Sequence, residues 1–109
     1  MNEIKEYTGK VFEDIKHIDE EGNEYWLARE LQSTLGYHQW RSINDLIVRA
    51  KVACKESKYN VDDHFAVQRK MIKLAKGATR NINNYKLSRY ACYLIVQNGN
   101  SHMKVIALI

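Results

Sequence analysis

No proline interrupts this chain of 109 residues, so its turns must be stiffened by glycine, capping and packing. Long apolar runs are missing too. The strongest, Leu94-Ile95-Val96 and the stretch from Val105 to Ile109, fall far short of the roughly 20 residues that a spanning helix needs. The first ten residues carry neither the apolar run nor the small-residue cleavage site of a secretory signal, so a cytoplasmic protein is expected. Cysteine occurs only twice, and Cys54 and Cys92 are not in a CxxC pair. Both fall within helical patterns and read as buried thiols in a reducing compartment, although a disulfide between them stays open. The four histidines are far apart, without metal-ligand spacing, and there is no glycine-rich phosphate loop. These absences argue against an enzyme, a metal site and a bound cofactor.

What is present fits one folded domain. Apolar residues make up 45% and charged residues 28% of the sequence, a balance that suits a globular protein and not a disordered one. The length allows a single core, taken here as one domain over 1–109. Its apolar end has no polar terminator, and the chain is expected to be the front part of a longer protein.

Charge is distributed unevenly. Residues 13 to 24 hold Glu13, Asp14, Asp19, Glu20, Glu21 and Glu24 against Lys16 alone. Residues 66 to 104 hold eight Lys or Arg and no acidic residue. If the fold keeps these regions apart, one part of the surface attracts phosphate and another repels it.

The pattern of elements predicts an α+β fold of short β-hairpins packed against several helices. A short helical turn is expected within Phe12 to Ile18, and then a hairpin, Lys16 to Glu20 with Glu24 to Leu27, around Gly22 or Asn23. Leu27, Leu31 and Leu35 recur every four residues and predict a helix that Gly36 ends. Ser42 and Asp45 have the spacing of a helix cap, and Ile43, Leu46, Ile47, Ala50, Ala53 and Cys54 form one stripe of a helix over about 43 to 57. A short helical segment is expected over His64 to Arg69. Residues 71–76 and 81–87 then form a second hairpin, and a helix capped by Ser88 follows, stopped at Asn98-Gly99. His102 to Ile109 reads as the start of another helix or strand.

Several blocks in this order resemble a known family. They are Tyr25-Trp26-Leu27-Ala28-Arg29-Glu30-Leu31 with Leu35-Gly36-Tyr37, then Trp40-Arg41, Arg49-Ala50-Lys51 with Ala53-Cys54, Asp62-Asp63-His64-Phe65, and the long stretch from Tyr85 to Gly99. The chain is similar, from Phe12 onward, to the amino-terminal domain of the DNA-damage-inducible protein D family, related to the BRO family N-terminal domains of viral and antirepressor-like proteins. The resemblance implies a non-enzymatic regulatory domain associated with nucleic acid. BRO-type domains are associated with DNA binding, and the damage-inducible branch with the bacterial DNA-damage response and with recombinase filaments on single-stranded DNA. DNA, single-stranded or duplex, is the expected partner. The alternatives are a DNA-bound recombinase filament or a repressor, and a homodimer remains open.

Read as residues, Arg29 and Arg41 lie at helix entrances and can reach phosphate. Lys51, Lys55 and Lys58, spaced by four and three, can form a patch along one helix side. Lys70, Lys73, Lys76 and Arg80 add charge near the second hairpin. Tyr37 and Trp40 can anchor a partner or stack on a base. The candidate binding residues are thus Arg29, Tyr37, Trp40, Arg41, Lys51, Lys55, Lys58, Lys73, Lys76 and Arg80. Each has a plain structural alternative: lysines solvate a helix, and Arg29 and Arg89 brace carbonyls or carboxylates. Trp26 is expected in the core, Tyr90 and Tyr93 in packing, and Trp40 is left open. Asp62-Asp63-His64 is the most catalytic-looking triplet, read either as a helix cap or, as in a metal-dependent nuclease, as part of a carboxylate cluster.

Overall fold

Around Glu21-Gly22-Asn23 the chain reverses as expected, with Gly22 at φ 86°, a conformation that costs glycine nothing. The computed structural model describes residues 11–99, so the segment expected to begin at His102 lies outside them. Residues 11–14 are helical (α1). Strands β1 (His17–Ile18) and β2 (Glu24–Leu27) lead into helices α2 (Ala28–Thr34) and α3 (Trp40–Glu56). A single turn, α4 (Val61–His64), precedes the long strands β3 (Phe65–Lys73) and β4 (Thr79–Leu87), and α5 (Arg89–Asn98) follows. The fold is α+β: a four-stranded antiparallel sheet of order β1-β2-β4-β3, with helices gathered around one end.

The core forms where that end of the sheet meets the helices. Ile43, Ile47, Ala50 and Cys54 of α3 are fully buried with Ala91, Cys92 and Ile95 of α5, and with Trp26, Phe65 and Leu87 from the strands. Burying such side chains stabilises the fold by about 1.5–3 kcal/mol for each large one. Both cysteines are free thiols, and burial pushes each thiol pKa upward. Among the described residues, no buried side-chain nitrogen or oxygen lacks a hydrogen-bond partner. No helix among them is long and apolar enough to cross a membrane.

Three local expectations are corrected. His64 to Arg69 is not helical: only Val61–His64 makes a turn, and Phe65 onward is strand, because Phe65 pairs with Leu87 and inserts into the core. Asp62 and Asp63 do not cap that turn, since the Asn60 side chain accepts from the Asp62 N–H at 3.0 Å. Ser42 does not cap α3, which starts two residues earlier at Trp40 because tertiary contacts of the Trp40 ring hold the first turn. Ser88 does cap α5, accepting the Ala91 N–H at 3.0 Å. Gly36 ends α2 at φ 82°. At the C-cap of α5, Gly99 is required on steric grounds, since a β-carbon there would lie 2.9 Å from the Tyr37 hydroxyl oxygen.

The acidic entry segment is locked to α5. Arg89 donates through Nε to Glu24 at 2.9 Å and through Nη1 to Glu13 at 2.8 Å, while Lys16 lies 3.5 Å from Glu13. The Arg89 guanidinium carbon sits 5.1 Å from the Trp26 ring, which stacks on Phe12 at 4.3 Å and donates its indole N–H to the Phe12 carbonyl. Arg89 therefore braces carboxylates. Its hydrogen bonds hold the Glu13 and Glu24 carboxyls below the ordinary value of 4.5, and their anions raise the Arg89 pKa in turn.

Because the folded pKa values are depressed, this stabilisation is complete above pH 4.5 and disappears as pH falls through the folded values. Both carboxylates are partly open to solvent, which screens the interaction. Arg89→Gln is expected to cost about 1–2 kcal/mol at neutral pH. It should also flatten the loss of stability on acidification. Urea unfolding of both proteins at neutral and acid pH measures this, and parallel acid limbs would show that the carboxylates titrate independently of Arg89.

Candidate nucleic-acid interface

Helix α2 begins without a cap of its own. Leu27 occupies the N-cap position and makes no side-chain hydrogen bond. The missing acceptor comes from β4: the Asn84 side-chain oxygen accepts the Arg29 N–H at 3.1 Å and the Tyr85 N–H at 2.9 Å. Asn84 is 2% exposed and is the buried polar residue among those described. Arg29 closes the junction from the other side, donating Nε–H to the Asn83 carbonyl at 2.8 Å. This fixes where β4 leaves the core.

Arg29 then lies over Trp40, with its guanidinium carbon 3.9 Å from the ring centroid. Trp40 stacks near-parallel to Tyr85, with centroids 6.4 Å apart, and Lys51 Nζ stands 4.5 Å above the Tyr85 ring and 3.4 Å from its hydroxyl. Cations and aromatic rings thus form a row, Arg29, Trp40, Tyr85 and Lys51, on the flank of α3 beside β4. Each cation–π contact contributes about 0.5–1 kcal/mol at a partly exposed site. Burial lowers the Arg29 pKa, yet a guanidinium remains charged. Arg29 braces a carbonyl and leaves part of its surface to solvent.

Lys55, one turn beyond Lys51, continues that flank and is exposed, as is Arg41 in the first turn. Lys58 lies past the end of α3 at φ 68°, where its N–H and that of Tyr59 close the helix on the Lys55 and Cys54 carbonyls. Lys51, Lys55 and Lys58 do not line one helix side, because the chain turns away before Lys58. Tyr37 is half-buried against the core, its carbonyl accepting from Gln32 and its hydroxyl near Gly99. It is separate from the Trp40 row.

Lys73, Lys76 and Arg80 are exposed toward the tip of the β3–β4 hairpin, where Lys76 and Gly77 both take left-handed φ. Register adds residues the sequence reading had not selected. Val67 pairs with Tyr85, Arg69 with Asn83, Met71 with Asn81 and Lys73 with Thr79, so these eight share one face of the hairpin. The alternation in Arg69-x-Met71-x-Lys73 carries this signal, but a two-residue period cannot say what lies opposite.

The acidic turn lies at the other end. Leu27 pairs with Lys86 and Trp26 with Leu87, so β2 runs back from β4 toward Glu24, away from the hairpin tip. Asp19 sits there, its carboxyl held below 3.8 by N–H groups of Asn23 and Glu21. The two charged regions are therefore segregated along the sheet.

Of the catalytic-looking triplet, His64 is absorbed into structure, whereas the Asp62 and Asp63 side chains are exposed. His64 Nδ1 is 2.6 Å from Ser88 Oγ, the cap of α5, and its ring packs edge-on against Tyr59 and Tyr90. Among the described residues no group of three or more His, Cys, Asp or Glu is placed to hold a metal ion.

The BRO family N-terminal domain is matched over residues 14–107, and the chain belongs to this family. It is similar to DNA damage-inducible protein D of Escherichia coli strain K12, with 46% identity over 96 residues. The match covers 88% of this chain and 35% of that protein, so the chain spans about a third of its relative's length. No solved structure matches.

The Asn84 junction is directly testable. Asn84→Leu keeps the branched side-chain skeleton and removes the acceptor that the part-buried Arg29 and Tyr85 N–H groups use, and is expected to cost about 1–3 kcal/mol in equilibrium unfolding. The same change should loosen Trp40, which a shift of its fluorescence emission would report. Unchanged stability would mean that these N–H groups find other acceptors.

Proposed function

We propose that this domain associates with DNA through its basic face and acts as a non-enzymatic regulatory module in the bacterial response to DNA damage. The observation that carries the reading is charge segregation. The described residues from 66 to 99 contain no Asp or Glu, and Arg69, Lys73, Lys76 and Arg80 lie exposed along the β3–β4 hairpin. The carboxylates of the entry segment lie at the opposite end, and Arg89 and Lys16 hold Glu13 and Glu24. A surface polarised in this way attracts a polyanion in a defined orientation.

The Arg29, Trp40, Tyr85 and Lys51 row, with Lys55 and Arg41, lies beside this face and presents cations and ring edges to phosphate and sugar. The damage-response role follows from the name of the relative and rests on likeness over a third of that protein. A second reading, docking onto a DNA-bound recombinase or repressor, is favoured by Val48 and Val52, exposed on the outward side of α3.

Binding of the chain to duplex and single-stranded DNA over a salt series tests the proposal. Log affinity should fall linearly with log salt. In Lys51→Gln/Lys55→Gln the slope should fall by about 1–2 if these lysines contact phosphate. Trp40→Ala should weaken binding while the circular-dichroism spectrum stays near wild type. Loss of the fold would instead make Trp40 a packing residue, and absence of DNA binding at low salt would put the partner reading first.

A further inference from the structure

Among the described residues, the hairpin beyond the Asn83–Asn84 contacts with Arg29 pairs only within itself. From Gln68 to Lys73 and from Thr79 to Asn83 the described side chains are exposed, except for half-buried Ile72 and Ile82 on the same face. Val67 is 68% and Met71 65% exposed, although apolar side chains on an uncovered ribbon contribute nothing to the core. At roughly 3.3 Å per residue, the six residues from Gln68 to Lys73 extend about 20 Å.

The chemistry of the face shared by Arg69, Met71, Lys73, Thr79, Asn81 and Asn83 is specific. Arg and Lys pair with guanine O6 and N7, Asn with adenine N6 and N7, and Met and Thr methyl groups contact the thymine methyl. A two-stranded ribbon fits the major groove of B-form DNA, roughly 12 Å wide. At the tip, left-handed Lys76 and Gly77 turn the chain within five residues, Leu74 to Ala78, closed by the Leu74 N–H to Ala78 carbonyl bond at 2.7 Å. Lys76 thus projects beyond the ribbon's end, where a groove-bound hairpin meets phosphate.

We propose that the β3–β4 ribbon enters the major groove of duplex DNA and reads base edges with Arg69, Asn81 and Asn83, while Lys73, Lys76 and Arg80 hold the flanking phosphates. This deepens the DNA-association reading and rests on it. Duplex is preferred to single strand because residues 66–84 contain no aromatic ring on which an unpaired base can stack. Duplex RNA is disfavoured because its major groove is too narrow for side chains to read.

The test uses the whole chain with a short mixed-sequence duplex DNA, its separate strands and the corresponding duplex RNA. The duplex DNA should bind tightest, and the bound chain should protect guanine N7, a major-groove atom, from methylation. Arg69→Gln/Lys73→Gln/Lys76→Gln/Arg80→Gln changes only exposed side chains. With unfolding unchanged, it should lose about tenfold or more in duplex affinity at moderate salt. Asn81→Ala/Asn83→Ala should retain most affinity for mixed sequence but enrich a broader, less selective set of sequences from a randomised pool. Wild-type affinity in the quadruple variant, unprotected N7, or equal affinity for the separate strands or the RNA would overturn the ribbon assignment while leaving DNA association standing. Failure of the wild-type chain to bind any probe at low salt would remove the DNA reading and this inference with it.

Discussion

Two hydrogen bonds to the Asn84 side-chain oxygen hold together the parts of the molecule that matter for its surface. They supply the cap that α2 lacks and fix β4 where it passes from core to solvent. Because the Arg29 N–H is one of the donors, the same contact sets Arg29 over Trp40 and against the Asn83 carbonyl. The cation–aromatic row on α3 and the direction of the hairpin are therefore consequences of one buried carboxamide. An amide suits the position better than a carboxylate, since it accepts two N–H bonds without placing a full charge in the core.

β4 is consequently two strands in one. Its second half, through Leu87, is paired on both edges near β2 and contributes to the core, whereas its first half pairs only with β3 and faces water. Exposed ribbons invite edge pairing with other chains, and cationic side chains discourage it by repulsion. The positive charge along β3 and β4 thus protects the ribbon in the free chain while making it attractive to a polyanion. The acidic turn at the far end adds orientation.

Much of this was legible locally. Gly22, Gly36 and the Ser88 cap act within a few residues of where they stand, so the first hairpin, the end of α2 and the start of α5 follow from neighbouring sequence. The apolar stripe of α3 was equally plain, and the family resemblance agreed with the matched domain. What was not legible depends on partners far along the chain. The α2 cap arrives from Asn84, 55 residues away from Arg29, and the early start of α3 rests on the Tyr85 ring contributed by β4 and on Arg29 of α2. His64 to Arg69 resembled a helix because Val61 to His64 does turn; pairing of Phe65 with Leu87 then makes it a strand. Of the candidate residues, Arg29, Trp40 and Lys51 converge, Lys73, Lys76 and Arg80 share the hairpin's outer end, and Tyr37 and Lys58 lie elsewhere. Tyr85, Arg69, Asn81 and Asn83 were missed because only strand register assembles them.

The central claim is that a clamped β4 carries a solvated ribbon which engages DNA while the core end stays fixed. Residue-resolved amide hydrogen exchange on the free chain and with duplex DNA tests it most directly. In the free chain, amides of Tyr85 to Leu87 should exchange near the global unfolding limit and those of Thr79 to Asn83 much faster. Duplex DNA should slow Thr79 to Asn83 and the partnering β3 amides and leave the β1–β2 turn unchanged. Uniform protection along β4 in the free chain, or slowing confined to the β1–β2 turn when DNA is added, would contradict the account.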